Sequence, residues 1–401
     1  MGGGALIGAR AYWRSAARDP SSSIRQWKSC PFADRPRRGD ALLLFPASRS
    51  GREAPTGGEA GEEAREGAGP LFKSKDLKSS TLVSTQPPPS PVRHSLQKYG
   101  PLDWSAYFDE ERSVAVPDTE DVFNVYTAGS EGPVVFCLHG GGYSGLSFAL
   151  AASQIKEKAR IVAMDLRGHG KSTTSDDSDL SIETLISDVI AVLHTMYGDS
   201  LPAIILVGHS MGGSVAVHVA ARKVIRNLHG LVVVDVVEGT AMASLVHMQK
   251  ILANRAQHFP SIEKAIEWSV KGGPLRNIES ACVSIPSTLK YDEARKCYTY
   301  RTPLEETEKY WKGWYEGLSE KFLSCPVQKI LLLAGADRLD RALTIGQMQG
   351  KFQMVVVRHT GHAIQEDVPK EFASRILNFI SHNKIGPNGV EIPGLIKKWQ
   401  H

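Results

Sequence analysis

No stretch of this 401-residue chain approaches the about 18 consecutive apolar residues of a membrane span, so no membrane association is expected. Cysteine is scarce as well. The five present (Cys30, Cys137, Cys282, Cys297, Cys325) are odd in number, widely spaced and without a C-x-x-C pair, which removes both a disulfide framework and a cysteine-based zinc site. A reducing compartment, cytoplasmic and also nuclear, fits that usage, and no metal is expected. Also missing is a basic surplus in the part of the chain that can fold. Residues 1–100 hold 16 Lys and Arg against 9 Asp and Glu, whereas the remainder holds 31 against 34, so the formal charge of +4 belongs to the first hundred residues. The rest is slightly acidic, and nothing argues for nucleic-acid binding.

What is present, 42% hydrophobic residues, suits a globular protein with a substantial core. Residues 1–95 do not share in it. Their Gly, Ala, Arg, Ser and Pro content, with Q-P-P-P-S-P at 86–91, cannot bury enough apolar surface to fold, and a disordered extension is expected. The first forty residues, Arg- and Ser-bearing with few acids, loosely resemble an organelle transit peptide, although Asp19, Asp34 and Asp40 weaken that reading. Order is expected over 100–385, with 386–401 as a tail.

The folded part alternates strands with helices. Strands are expected at Asp121–Ser130 (alternating), Val134–Leu138, Arg160–Met164, Leu231–Val234, Lys329–Ala334 and Gln353–Val357, with a helix beginning at an Ser181 N-cap. Most of these strands are continuous apolar runs. That is the mark of a mostly parallel sheet covered by helices on both faces, an α/β fold. Residues 241–325 change to helical patterns carrying Trp268, Tyr310, Trp311, Trp314 and Tyr315, which reads as an inserted helical cap.

Within Ala203–Arg222, an apolar strand runs into G-H-S-M-G (Gly208–Gly212) and then into a small-residue helix, the signature of a nucleophile elbow with Ser210 at its apex. Small residues two positions either side leave room for a strained serine. The Met211 N–H, at the start of the helix, is placed to meet a developing oxyanion. Upstream, His139 is followed by Gly140, Gly141 and Gly142 directly after a strand; Gly141 and Gly142 are candidate oxyanion donors. A serine hydroxyl needs a histidine base and a carboxylate to orient it. His362, in G-H-A-I-Q-E-D, is the candidate base, ahead of His359. His209 is forced by the elbow to point away from the serine oxygen. Asp165, Arg167 and His169 precede the nucleophile and are expected to structure their own loop. Two carboxylates remain for the acid, Asp235 and Asp337, each at the carboxyl end of a strand.

The motifs G-H-S-M-G-G, V-D-V-V-E-G-T-A-M, I-E-W-S-V-K-G-G, T-E-K-Y-W-K-G-W, L-L-L-A-G-A-D-R-L-D and L-T-I-G-Q-M-Q-G-K-F-Q-M together resemble the protein phosphatase methylesterase family over roughly 101–382. The resemblance implies an α/β-hydrolase that removes the methyl ester from the carboxyl-terminal leucine of the type 2A protein phosphatase catalytic subunit, without a cofactor. It implies Ser210 as nucleophile, His362 as base and Asp235 as acid, leaving Asp337 as the alternative that ordinary hydrolases would use. Residues 1–100 have no counterpart in that pattern, and the cap near Lys290–Thr302 is short beside relatives with an extended acidic loop. A small-molecule carboxylesterase or lipase, and a phosphatase-binding module with a vestigial site, are the competing readings. A haloalkane or epoxide hydrolase is disfavoured, since those carry aspartate where Ser210 stands.

Overall fold

The computed structural model describes residues 98–335 and 339–391. The chain enters through a single 3-10 turn, Trp104–Ala106, capped by Asp103, whose carboxylate accepts from the Ser105 N–H. It then lays down β1 (Glu110–Ala115), β2 (Val122–Ala128), β3 (Val134–Leu138) and β4 (Arg160–Met164), with α1 (Ala149–Ile155) between the last two. Helix α2 (Ile182–Tyr197) starts where Ser181 accepts the Thr184 N–H, as the N-cap preference requires. It buries Leu185, Ile186, Val189, Val192 and Leu193, a stripe at helical spacing that faces the sheet. Strand β5 (Ile204–His209), helix α3 (Met211–Arg222) and strand β6 (Leu228–Val234) complete the first half.

From Glu238 to Ser324 the chain leaves the sheet. It forms α4 (Glu238–Ala253), β7 (His258–Phe259), α5 (Ile262–Lys271), α6 (Ile278–Ser284), β8 (Leu289–Asp292), β9 (Cys297–Tyr300), α7 (Glu308–Tyr315) and α8 (Leu318–Ser324). The helical reading of this region overlooked a strand component: β7, β9 and β8 pair antiparallel into a small separate sheet. These strands are two to four residues long, too short for a period to show in sequence. The chain then returns through β10 (Gln328–Leu333), α9 (Arg341–Met348), β11 (Gln353–Val356), α10 (Ile364–Asp367) and α11 (Pro369–His382).

The main sheet has eight strands in the order β1-β2-β4-β3-β5-β6-β10-β11. Only β1 and β2 run antiparallel to their neighbours; β4 through β11 are parallel. Two apolar layers cover its faces, and alternate residues of one strand divide between them: Val134, Phe136 and Leu138 enter one, Val135 and Cys137 the other. Each fully buried side chain of this size contributes about 1.5–3 kcal/mol relative to exposure, which is why the central strands read as unbroken apolar runs. The Asp121–Ser130 segment was expected to alternate, yet β2 buries Phe123, Asn124, Val125 and Tyr126 in succession because both of its faces are covered. Strand β1, E-E-R-S-V-A, escaped the sequence reading. It is a charged edge strand, and charge at an edge discourages pairing with other chains while hiding the strand's pattern.

The Cys137 thiol is fully buried, and desolvation pushes its ionisation upward, so it is an inert core residue. Cys137, Cys282, Cys297 and Cys325 are all free thiols. Among the described residues no helix is long and apolar enough to cross a membrane.

Candidate active site

The parallel strands deliver their loops to one edge of the sheet, where open α/β folds bind ligands. Strand β5 ends at His209 and α3 begins at Met211, so Ser210 alone makes the turn, at φ 52° and ψ −118°. A non-glycine residue at positive φ stores roughly 1–3 kcal/mol, and the surroundings here enforce it. The Ser210 N–H donates to the Val234 carbonyl at 3.0 Å, and the Ser210 carbonyl accepts the Ser214 N–H at 3.1 Å. A Cβ on Gly208 would lie 2.2 Å from the Gly212 carbonyl oxygen, and one on Gly212 would lie 2.3 Å from that of Leu138. Backbone fills both spaces, so the two glycines are a steric requirement of the turn.

Asp235 follows β6 and also sits at positive φ, 50°. Its N–H donates to the Leu332 carbonyl at 2.8 Å, and one carboxylate oxygen accepts the Ala334 N–H at 2.9 Å. The other oxygen lies 2.8 Å from His362 Nδ1, both residues being buried. A carboxylate only accepts, so Nδ1 carries the proton and Nε2 of the neutral ring is left with a lone pair to receive one. The His362 ring packs 4.6 Å from that of His209, the residue before Ser210. His209 points its Nε2–H to the His362 main-chain carbonyl at 3.0 Å, away from Ser210, and burial holds its ionisation well below the usual imidazole range. His359, the rival base, is exposed. Asp337 lies outside the described residues.

The candidate oxyanion donors divide. Gly141 and Met211 border the same chamber as Ser210. The N–H of Gly142, a residue at φ 78°, is directed to His169 Nε2 at 3.0 Å. His169 in turn hydrogen-bonds the Arg167 carbonyl through Nδ1 at 2.8 Å, and burial lowers its ionisation to about 4, which keeps it a neutral acceptor for Gly142. The neighbouring loop residues behave as loop-builders: Asp165 accepts the Gly145 and Lys171 N–H groups, and Arg167 forks onto Asp188 while reaching Asp121.

The Ser210 chamber is a partly open hollow, about 460 Å³ of empty space counting the solvent at its mouth, with apolar walls that include Met248, Leu252, Leu304, Trp311 and Trp314. Sequence reasoning counted Tyr315 only as one more aromatic of the cap. Residues 311, 314 and 315 share one face of α7, and that face is turned onto the elbow. Burial pushes the Tyr315 phenol up to about 12, and Tyr315 lines the chamber together with Ser210. Glu366 was overlooked too. Fully buried four residues after His362, it accepts the hydroxyls of Ser147 and Ser284, both at 2.7 Å, and burial raises its ionisation to about 8. Nothing in the polar run Gln365–Asp367 marks it as buried in sequence; only the three-dimensional packing shows the Glu366 carboxyl joining the His362 turn to the glycine-loop side and to α6. Among the described residues no cluster of His, Cys, Asp and Glu could hold a metal ion.

A strained serine, a helix N-terminus behind it and a buried carboxylate–imidazole pair can together support covalent acyl transfer. Comparison with known proteins narrows that class. Residues 134–375 match the model of the alpha/beta hydrolase family. Among solved structures, E-2-(acetamidomethylene)succinate hydrolase superimposes with a TM-score of 0.57 at 20% identity, covering 68% of this chain and 99% of that one. The thioesterase domain from the curacin biosynthetic pathway gives 0.53 at 22%, covering 67% and 99%. At these identities the likeness speaks for the fold. Curated relatives go further: protein phosphatase methylesterase 1 of Mus musculus is 45% identical over 71% of this chain and 86% of its own length. Probable protein phosphatase methylesterase 1 of Caenorhabditis elegans is 46% identical over 78% and 87%, and the Schizosaccharomyces pombe protein 41% over 70% and 85%. With the α/β-hydrolase sheet in place and identity of this order across most of each relative, the chain belongs to the protein phosphatase methylesterase family of hydrolases.

Proposed function

We propose that this protein is a serine carboxyl-methylesterase that demethylates the carboxyl-terminal leucine methyl ester of the type 2A protein phosphatase catalytic subunit. The observation that carries the reading is the 2.8 Å pair of His362 Nδ1 and the Asp235 carboxylate, assembled behind a serine in a strained elbow. The names of the curated relatives support the substrate.

In this mechanism Ser210 Oγ attacks the ester carbonyl and His362 Nε2 takes its proton. Asp235 stabilises the resulting imidazolium and holds its orientation. Negative charge on the former carbonyl oxygen is met by the Gly141 and Met211 N–H groups, with Met211 at a helix start that favours anions. Collapse of the tetrahedral adduct expels methoxide, protonated by His362 to leave as methanol. Water, deprotonated by the same imidazole, then attacks the acyl-serine, and the second adduct releases a free carboxylate and regenerates Ser210. No redox step or group carrier is required.

The apolar chamber suits a leucine side chain, whose burial supplies only about 1.5–3 kcal/mol. Selectivity for one protein therefore rests on contacts beyond the chamber. The test pairs labelling of Ser210 by a fluorophosphonate with methanol release from the methylated catalytic subunit. Labelling together with a strong preference for the methylated phosphatase over short acyl esters is expected. Labelling with preference for short esters would make the protein a general carboxylesterase or lipase. Phosphatase binding with neither labelling nor turnover would leave only a binding module.

A further inference from the structure

The turn that carries His362 closes through Gln365, Glu366 and Asp367, three polar residues that take no part in the bond-making steps above. Gln365 and Glu366 are fully buried. Asp367 accepts the N–H of Gly361, directly before His362, at 2.6 Å, and the N–H of Arg276, just ahead of α6, at 2.8 Å. Glu366 reaches the other way, with its two oxygens 2.7 Å from Ser147 Oγ and from Ser284 Oγ. Its main-chain carbonyl accepts from Ser280 Oγ at 2.9 Å, and Gln365 Nε2 donates to Ser147 Oγ at 2.8 Å. Ser147 is therefore gripped by two neighbouring residues of the His362 turn.

Ser147 belongs to the 3-10 turn Gly145–Phe148, into which the glycine loop runs. The loop leaves the end of β3 and His362 follows β11, and in the main sheet β5, β6 and β10 stand between those two strands. The sheet alone thus sets the spacing of loop and base only through three intervening strands. The Glu366–Ser147 contact sets it directly. Burying a carboxyl group carries a desolvation cost that a leucine of similar volume does not, and what the carboxyl adds is a pair of directional bonds of fixed length. Burial keeps Glu366 protonated at neutral pH, and a glutamine reproduces the neutral group, with an acceptor toward Ser147 and a donor toward Ser284.

We propose that Glu366 is a positioning residue of the esterase reaction: by bonding Ser147 it fixes the separation between the glycine loop, which presents the Gly141 N–H to the oxyanion, and the turn that presents His362 Nε2 to the serine. The proposal rests on the serine-esterase reading and adds to it a residue that never meets the substrate. Attack on the carbonyl needs the base and the oxyanion donor in register with one tetrahedral carbon, and a misplacement of about 1 Å can cost about 10²-fold in rate. Binding of the ground state in the apolar chamber does not draw on this bridge, so its loss falls on kcat and not on KM. The Ser284 arm ends on α6, which carries neither the base nor an oxyanion donor, and it serves as the internal comparison.

The experiment measures steady-state hydrolysis of p-nitrophenyl acetate by the full chain and four variants, with near-ultraviolet circular dichroism and melting temperature reporting the fold. Glu366→Leu, which keeps the volume and removes the bonds, is expected to lower kcat about thirtyfold or more with KM within about twofold. Glu366→Gln is expected to hold kcat within about threefold of the unmodified protein. Ser147→Ala is expected to lower kcat about tenfold and Ser284→Ala no more than about threefold, and this pair keeps the test decisive should the leucine variant fail to fold. A folded Glu366→Leu with kcat near the original would overturn the assignment. So would a Glu366→Gln as slow as the leucine variant, or a Ser284→Ala slower than Ser147→Ala. An unmodified protein that neither hydrolyses the ester nor takes up a fluorophosphonate would overturn the serine-esterase reading itself, and the positioning role with it.

Discussion

His362 donates its Nδ1–H to Asp235 across 2.8 Å, and the same Asp235 carboxylate is pinned on its other oxygen by the Ala334 N–H. An imidazole fixed in this way presents Nε2 as a base. Asp235→Asn offers the ring an amide in place of a carboxylate and admits the wrong tautomer, so kcat for demethylation is expected to fall by roughly 10⁴-fold, with little change in KM. Asp337→Asn is expected to stay within about tenfold of the unmodified protein. The reverse ranking in steady-state kinetics would give the acid to Asp337.

Ser210→Ala removes one hydroxyl from a turn whose shape is set by backbone packing. Turnover and fluorophosphonate labelling are expected to vanish, while the free energy of unfolding moves by less than about 1 kcal/mol in denaturant titration. Residual turnover near the original rate would show that another nucleophile performs the reaction.

Trp311 and Trp314, as cap aromatics, can serve either the core or a groove for the partner. Both are buried; Trp314 Nε1 donates to the Leu180 carbonyl at 2.7 Å and Trp311 Nε1 to Thr307 Oγ1 at 2.8 Å. Alanine at either position is expected to cost about 3–5 kcal/mol in chemical unfolding. Trp268→Ala, at a half-buried site, is expected to cost clearly less. Equal, small losses at all three would return the first two to the groove reading.

Glu366 carries a stability signature. Its ionisation is raised from 4.5 to about 8 by burial, so the folded state holds a proton that the unfolded chain releases. The stability it contributes is fully present below about pH 4.5, declines as pH rises through the interval, and is lost above about pH 8. Glu366→Gln, always neutral, is expected to flatten the fall in melting temperature between pH 5 and pH 8, measured by calorimetry at several pH values. A pH dependence unchanged by the substitution would show that other groups cause it.

Removing residues 1–95 is expected to leave kcat/KM on the methylated phosphatase within about twofold, since a segment of that composition adds no core. A loss of tenfold or more would assign the extension a part in recognising the substrate.

The sheet was legible because it is buried on both faces. Val134–Leu138, Ile161–Met164 and Val232–Val234 are apolar without interruption, and such runs admit few other readings at this length. The elbow was legible because its glycines flank Ser210 at a fixed local spacing, although Gly212 is forced by the Leu138 carbonyl from a neighbouring strand. The pairing of Asp235 with His362 spans 127 positions; the sequence favoured Asp235 with Asp337 as the alternative, and the fold brings Asp235 to Nδ1. Tyr315 and Glu366 gave no local sign. Their roles come from which way a cap helix faces and from what packs over a turn, and neither is written in a single stretch. The same holds for Gly142, whose N–H could be assigned only once His169 was seen beside it.

The hydrogen bond from His209 to the main-chain carbonyl of His362 also has a mechanical meaning. It ties the turn bearing the base to the residue preceding the nucleophile, so a displacement of one carries the other, and the reacting pair moves as one body with the sheet. The segment Glu238–Ser324 shares no strand with that sheet and supplies Met248, Leu252, Leu304 and Trp311 to the chamber walls. Entry and departure of substrate are therefore governed by a part of the molecule separate from the one that makes and breaks bonds. Substitutions at Met248 or Leu304 are expected to act on how long an acyl chain stays, and those at the elbow on what happens to it while it is there.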